Sequence, residues 1–329
     1  MEKIYYSKQI RRRRRHDGLR TILAFVILFG LVIGLLFAAY KVVTFSTGIL
    51  GATAPIPQLE ADHPFDETPT PTPEIQSRLG QVVEKALSGS HGSYGISIKN
   101  LKTGESYTKG DTISFESASL YKLWVMAVVY QQIKDGRLSE EDTLSQDIAT
   151  LNKKFNIATD AAELADGKVS MTVDEALTQM ITISDNYAAL LLTERVKVSG
   201  LTAFLKANDF NESAVGTGGK LPTTTAHDIM LFLDKLYMRQ LTDEEYTVKM
   251  LELLKDQRLN NKLPLYLPLA VQVAHKTGEI DEYSHDAGIV NALNGDYIIV
   301  IMTKSDDPES ANERIALVSK AVYNYFEGE

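Results

Sequence analysis

The chain has 329 residues, with 34 Lys plus Arg against 43 Asp plus Glu and no cysteine. That length admits one large domain or two ordinary ones, and 44% hydrophobic with 23% charged residues suits a sizeable core rather than disorder. The missing cysteines exclude disulfides, thiolate metal sites and a cysteine nucleophile. Charge is unevenly divided: residues 1–20 carry eight Lys/Arg and two acids, a net of +6, leaving −15 on the remaining 309. An acidic body of this kind argues against nucleic acid as a partner, because phosphate binding needs a basic face.

Twenty uncharged, mostly apolar residues run from Thr21 to Tyr40, bracketed by Arg20 and Lys41. As a helix this run spans about 30 Å, the thickness of a hydrocarbon core. The expected organisation is a basic cytoplasmic tail (1–20), a transmembrane helix (21–42), a linker (43–74) and an extracytoplasmic domain (75–329). The positive-inside rule sets that orientation at the cell membrane. A cleaved signal peptide is the rival reading, since Ala52-Thr53-Ala54 offers a cleavage site, but the apolar run exceeds the usual length and Pro55 would follow the cut. Six of the ten prolines fall between Pro55 and Pro73, which reads as a semi-rigid extended stalk.

Within the outer domain, Leu79, Val82, Val83 and Ala86 fall at helical spacing over 75–87. Tyr94, Ile96 and Ile98 alternate as a strand does, and a second strand follows at 105–109 after the Lys102-Thr103-Gly104 turn. Residues 119–133 form a very apolar helix with Trp124 in its buried face. Residues 172–257 are helical in several pieces, with Thr225 and Asp228 spaced as a capping box for a helix over 226–238. Strand patterning returns in VQVAHKTG, DAGIVNAL and YIIVIMTK, with Asn294-Gly295 in a hairpin position, and a helix over 309–326 closes the chain. Two strands early and three late predict one sheet built from both chain ends, an α/β fold with a mostly helical insertion and a cleft between the two parts.

Three short elements occur in order: Ser119-Leu120-Tyr121-Lys122, Ser184-Asp185-Asn186 and Lys276-Thr277-Gly278. Each is weak alone, since about one S-x-x-K is expected by chance in such a chain. The chain also holds decoys, Ser106-Tyr107-Thr108-Lys109 and Lys102-Thr103-Gly104. On a strand, residues three apart face opposite sides, so Ser106 and Lys109 cannot cooperate. On a helix, positions i and i+3 share a face, so Ser119 and Lys122 can hydrogen-bond. The second K-T-G ends a strand, where its side chains can line a cleft.

With the phrases FESASLYK, ITISDNYAA and VAHKTGEI around them, these elements make residues 75–329 resemble the class A β-lactamases and related penicillin-recognising serine hydrolases. The resemblance implies a five-stranded antiparallel sheet flanked by the terminal helices, plus an all-α subdomain. It implies a β-lactam or acyl-D-alanyl peptide as substrate, no cofactor or metal, and a monomer. Ser119 is then the nucleophile and Lys122 its base, with a pKa lowered by burial and by Lys276. Ser184 relays a proton to the leaving nitrogen between those two lysines. Asn186 holds the substrate amide; Lys276 and Thr277 take its carboxylate, and Gly278 belongs to the same binding strand. The backbone N–H groups of Ser119 and Glu279 form the oxyanion hole.

Two departures qualify the resemblance. The family's E-x-x-L-N loop, whose glutamate activates the deacylating water, is missing. The segment after Phe204 reads KANDFNESAVGTGGKLPTTT, shorter than the family loop. Asp209 or Glu212 is the alternative source of that carboxylate, although two acids in a surface loop are usually just solvated. Glu279 follows K-T-G, and would repel an anionic substrate if it faces the cleft. The expectation is therefore acylation by β-lactams with slow deacylation. The alternatives are a D,D-peptidase-like cell-wall enzyme, or a catalytically weak module binding peptidoglycan or partners. His275 and His285 on adjacent strands lack an evident third ligand for a metal site.

Overall fold

The computed structural model describes residues 77–328. The expected basic tail, membrane helix and stalk lie outside the described residues; among those described, no helix is long and apolar enough to cross a membrane.

The expected sheet is present. Strands β1 (Ser93–Asn100) and β2 (Ser106–Lys109) come from the front of the domain, and β7 (Val273–Ile280), β8 (Tyr283–Val290) and β9 (Tyr297–Lys304) from its end. They lie in the order β2-β1-β9-β8-β7, every pair antiparallel, with β1 joined to β9 from Ser93↔Lys304 to Asn100↔Tyr297. β9 shows why its sequence is apolar at every position: Tyr297, Ile299 and Ile301 enter one core, while Ile298, Val300 and Met302 enter the other. Successive side chains of a strand point to opposite faces, so a sheet covered on both sides needs apolar residues throughout.

The first face is covered by α1 (Arg78–Leu87) and by the last helix, Pro308–Glu327, through Leu79, Val83, Ile315, Val318 and Val322. The helical insertion packs on the other face. Its centre is α2 (Lys122–Lys134), in which every residue from Lys122 to Tyr130 is buried, Trp124 among them. A helix apolar on all sides is a helix enclosed on all sides. Around it stand α4 (Val173–Thr182), α5 (Asn186–Val196), α6 (Val198–Ala207), α7 (Ala226–Tyr237) and α8 (Glu244–Lys255), while α3 (Ile148–Lys154) packs beyond them on α5 through Ile148, Leu151, Leu190 and Leu191; the C-terminal helix is α9, giving nine among the described residues.

Several details differ from the expectation. The first turn of the 119–133 helix is a 3-10 turn, Ala118–Tyr121, so Ser119 sits in a tighter winding than Lys122. Two small ribbons stand outside the expected elements: β3 (Phe115–Glu116) pairs with β6 (Thr223–Thr224), and β4 (Thr143–Asp147) with β5 (Lys168–Thr172), the last alternating through Val169 and Met171. Thr225 caps α7 by accepting from the Asp228 N–H, but the box is only half closed. The Asp228 carboxylate turns instead to the Glu212 N–H and the Ser213 hydroxyl. The reciprocal box occurs at α4, between Thr172 and Glu175.

That box is exposed and distant in sequence from the S-x-x-K and K-T-G elements, so it isolates a purely local contribution. Thr172→Ala should lower unfolding free energy by about 1 kcal/mol in a urea titration, with unchanged acylation chemistry. Thr172→Ser should restore most of the loss.

Candidate active site

Three elements bring the motif residues together. The 3-10 turn presents Ser119, half-buried, and leads directly into α2 with Lys122 in its first position. The break between α4 and α5 supplies Ser184, Asp185 and Asn186. The outer strand β7 supplies Lys276, Thr277 and Gly278. Ala118 and Ser184 both adopt positive φ, 45° and 60°. For residues with a Cβ such a backbone is strained and is held by its surroundings, a pattern common at functional sites. At Ser184 the N-cap helps hold it: the Asp185 carboxylate accepts from the Ala188 N–H at 2.7 Å.

The geometry centres on the Ser184 hydroxyl. Lys122 Nζ donates to Ser184 Oγ at 3.2 Å, and also to the Ser184 carbonyl at 2.7 Å and to Asn186 Oδ1 at 2.8 Å. From the other side, Lys276 Nζ donates to Ser184 Oγ at 3.0 Å and to its own neighbour's carbonyl, Thr277 O, at 2.8 Å. Both lysines are fully buried. The expected direct bond between Ser119 and Lys122 is absent: three acceptors from the S-D-N turn take the Lys122 ammonium, which draws it toward Ser184.

Burial disfavours an ammonium and pushes Lys122 down to about 8, with the charges of Asp185 and Glu163 pulling the other way. Lys276 falls well below its ordinary value, chiefly through burial and then through the charge of Lys122. Behind it, Asp286 partly offsets this; that buried carboxylate accepts from the Leu263 N–H and contacts His275 Nδ1 at 2.9 Å. His275 also meets Asn260 through its other nitrogen. His285 takes the Thr303 N–H on Nδ1 and meets the Glu116 carbonyl through Nε2, and burial holds its pKa down to about 4. Both rings are thus committed to protein partners. A cluster of Glu212, His227 and Asp228 has ligand atoms within 4.8 Å of one another, but their carboxylates are already engaged by Thr225, Ser213 and a backbone N–H.

A cavity of about 350 Å³ opens over this arrangement, lined by Ser119, Ser184, Asn186, Thr277 and Glu279 among others. Gly278 explains how β7 reaches Ser119 so closely. A Cβ there would stand 3.2 Å from both Ala118 Cβ and Ser117 O, and 3.3 Å from Ser119 N. Glu279 does line the cavity, as feared for an anionic substrate, yet it is not a bare charge. Its Oε1 lies 2.5 Å from Nζ of Lys262, a fully buried lysine. The pair offsets much of the expected repulsion.

Neither acid of the shortened loop reaches the cavity. Asp209 is exposed, 3.9 Å from Lys235, and Glu212 accepts from Thr225 Oγ1. Another carboxylate, outside the motifs, bears on the site through Asn186. Glu163 accepts from Asn186 Nδ2 at 2.7 Å, while the same amide's oxygen holds Lys122. In sequence Glu163 sits in a polar stretch, ATDAAELADG, with no periodicity to single it out. Lys262 left a faint signal as a lone cation in LNNKLPLYL.

Two measurements follow from this geometry. If neutral Lys122 is the base, lactam acylation followed between about pH 6 and 10 should rise through about 8 and then level off. Asp185→Asn keeps a competent cap but removes a charge that favours the ammonium, so the rise should move to lower pH; an unmoved rise would exclude Lys122 as the titrating base. Gly278→Ala should slow acylation about ten- to a hundredfold by displacing β7 or the 3-10 turn of Ser119, with circular dichroism unchanged.

Comparison with known proteins agrees with this geometry. A model described as "Beta-lactamase enzyme family" matches residues 77–326. The beta-lactamase VEB-1 of Pseudomonas aeruginosa is 23% identical over 270 residues, covering 74% of this chain and 89% of that protein. Among solved structures, a beta-lactamase from Sphaerobacter thermophilus superposes with a TM-score of 0.67 at 20% identity, covering 76% of this chain and 97% of the other. PBP-A gives the same TM-score at 25% identity, covering 76% and 96%, and a mutant of it is known as an acyl-enzyme complex with penicillin G. Fold, motif geometry and family match coincide, and the chain belongs to the beta-lactamase enzyme family as a β-lactamase-like serine hydrolase.

Proposed function

We propose that this protein is a membrane-anchored serine hydrolase that opens β-lactams through an acyl-enzyme on Ser119 and releases the product slowly. The observation that carries the chemistry is the sharing of Ser184 Oγ between Lys122 and Lys276, at 3.2 and 3.0 Å. Neutral Lys122 accepts the Ser119 proton as Ser119 Oγ bonds to the lactam carbonyl carbon. The backbone N–H groups of Ser119 and Glu279 stabilise the oxyanion. As the tetrahedral intermediate collapses, the C–N bond breaks and the nitrogen takes a proton through Ser184 from the Lys122 ammonium. Lys276, poised on the same hydroxyl, supports that transfer, and with Thr277 it binds the substrate carboxylate; Asn186 holds the acyl-side amide.

Slow release is favoured because, among the described residues, no carboxylate other than Glu279 lines the cavity, and Glu279 is paired with Lys262. The likeness to PBP-A favours a second reading of the same site, an enzyme of D,D-peptidase type acting on acyl-D-alanyl peptides. The anchor rests on the apolar run Thr21–Tyr40 and its flanking charges.

Intact-mass spectrometry of the full chain with benzylpenicillin, followed from seconds to hours, tests the proposal. The expected result is an adduct equal to one whole penicillin, since ring opening expels no fragment, persisting for hours and missing in Ser119→Ala. A transient adduct with accumulating hydrolysed penicillin would replace slow release by efficient turnover. No adduct would sink the lactam reading.

A further inference from the structure

Two apolar side chains stand almost wholly in water: Leu269, fully exposed, and Leu293, 92% exposed. Among the described residues no other large apolar side chain exceeds 48%. Scattered exposed leucines are ordinary, but these two share one place. Each is the second residue of a turn, Pro268–Val271 and Ala292–Gly295, closed by backbone hydrogen bonds of 2.9 and 3.2 Å. That position commonly goes to proline or a small polar residue. The turns adjoin: the Asn291 N–H, just before one, donates at 2.9 Å to the Gln272 carbonyl, just after the other.

The chain from residues 1–76 enters the domain at this same end. Arg314 Nη1 donates to the Ala86 carbonyl at 2.6 Å, so the close of α1 lies beside the opening of α9. The opening of α1, at Ser77 and Arg78, therefore lies toward the close of α9. There the Asn294 N–H of the second leucine turn donates to Glu327 Oε1 at 3.2 Å. The turn between β1 and β2 completes this end, with the Leu101 N–H donating to the Asp296 carbonyl and Tyr325 to Glu105. Its charges are sorted. The carboxylates of Glu105, Asp296 and Glu327 each accept a hydrogen bond, whereas Arg78 and Lys102 are exposed and form no ion pair among the described residues. Bare leucines flanked by unpaired cations suit a surface that is apolar beneath and anionic at its face, which is a lipid bilayer. The apolar run Thr21–Tyr40 brings such a surface within reach, and Gly48 and Gly51, ahead of the prolines, allow the chain to bend back toward it.

We propose that this end of the domain docks on the bilayer, with Leu269 and Leu293 inserted at the head groups and Arg78 and Lys102 against lipid phosphates. The proposal rests on the anchor reading above. β7 begins with Val273 on the lipid side, and Gly278, beside Ser119, stands five residues along it, roughly 17 Å away. Docking therefore leaves the catalytic cavity clear of the lipid.

Because the chain has no cysteine, one introduced thiol can carry a fluorophore at a chosen point. Leu269→Cys, Leu293→Cys and Thr103→Cys place it at the leucine end. His91→Cys places it at the opposite end, where Ser93 pairs with Lys304. Each labelled full chain is reconstituted into phosphatidylcholine–phosphatidylglycerol vesicles containing nitroxide-labelled lipid. The three probes at the leucine end should be quenched about threefold more strongly than the one at His91. When Leu269→Ser and Leu293→Ser are added to Thr103→Cys, its quenching should fall to the His91 level, with circular dichroism unchanged. Equal quenching at all four positions, or a Thr103 probe indifferent to the loss of both leucines, would overturn the docking. Shielding of the Leu293 probe that grows with the protein-to-lipid ratio, without quenching by lipid, would assign the leucines to a second copy and overturn it too. Should the chain fail to float with the vesicles, the anchor reading fails on its own. The comparison is then repeated with the chain tethered through an N-terminal histidine tag to nickel-chelating lipid, and the same outcomes decide.

Discussion

The site is organised by a conflict: two lysine side chains end on one hydroxyl, in a place that water barely reaches. Two full ammonium charges so close, and so dry, would repel strongly, because neither solvent nor counter-ion screens them. The protein lowers both pKa values by burial and then feeds back just enough negative charge to keep protons available. Asp185 and Glu163 do this for Lys122, and Asp286 and Glu279 for Lys276. These four acids come from different elements, so the proton balance at Ser184 depends on the S-D-N break, β7, β8 and the segment before β5 standing in register.

The same balance explains which residues are indispensable to position and which only to charge. Asp185 works twice, as the N-cap that fixes the strained Ser184 backbone and as a nearby anion. Glu163 holds Asn186 by one end while Asn186 holds Lys122 by the other, a chain of two hydrogen bonds from an exposed carboxylate to a buried lysine. The strand β7 is held against the turn of Ser119 because its residue at the crossing point has no side chain.

Much of this was legible in the chain. The sheet was readable because β9 is apolar throughout, as a strand covered on both faces must be, and because Tyr94, Ile96 and Ile98 alternate in β1, although Gly95 and Ser97 between them are buried too. The motif residues were separable from their decoys by local structure alone, and Ser106 and Lys109 do lie on a strand, with Lys109 drawn off to Glu84. What escaped was whatever depends on contacts distant in sequence. A 3-10 turn differs from an α-turn by tertiary packing, and the two-residue strands β3 and β6 are too short to have a period, whereas β5 does alternate through Val169 and Met171. Asp228 left its capping role because a loop brought Glu212 N and Ser213 to it. Glu163 and Lys262 act on the site through folding alone, from segments whose composition is that of ordinary loop.

The pairing of β1 with β9 sets the order in which the molecule can be completed. Its register joins Ser93 to Lys304 and Asn100 to Tyr297, so the sheet cannot close until nearly the whole domain is available. Contacts this distant in sequence are slow to form, because the loop entropy is lost before the contact is gained. In a chain delivered from its front end, the helical insertion around Trp124 would have to wait with one apolar side uncovered until β7, β8 and β9 arrive. The interval between synthesis of Asn100 and of Tyr297 is therefore the period in which this protein is most exposed to aggregation and proteolysis.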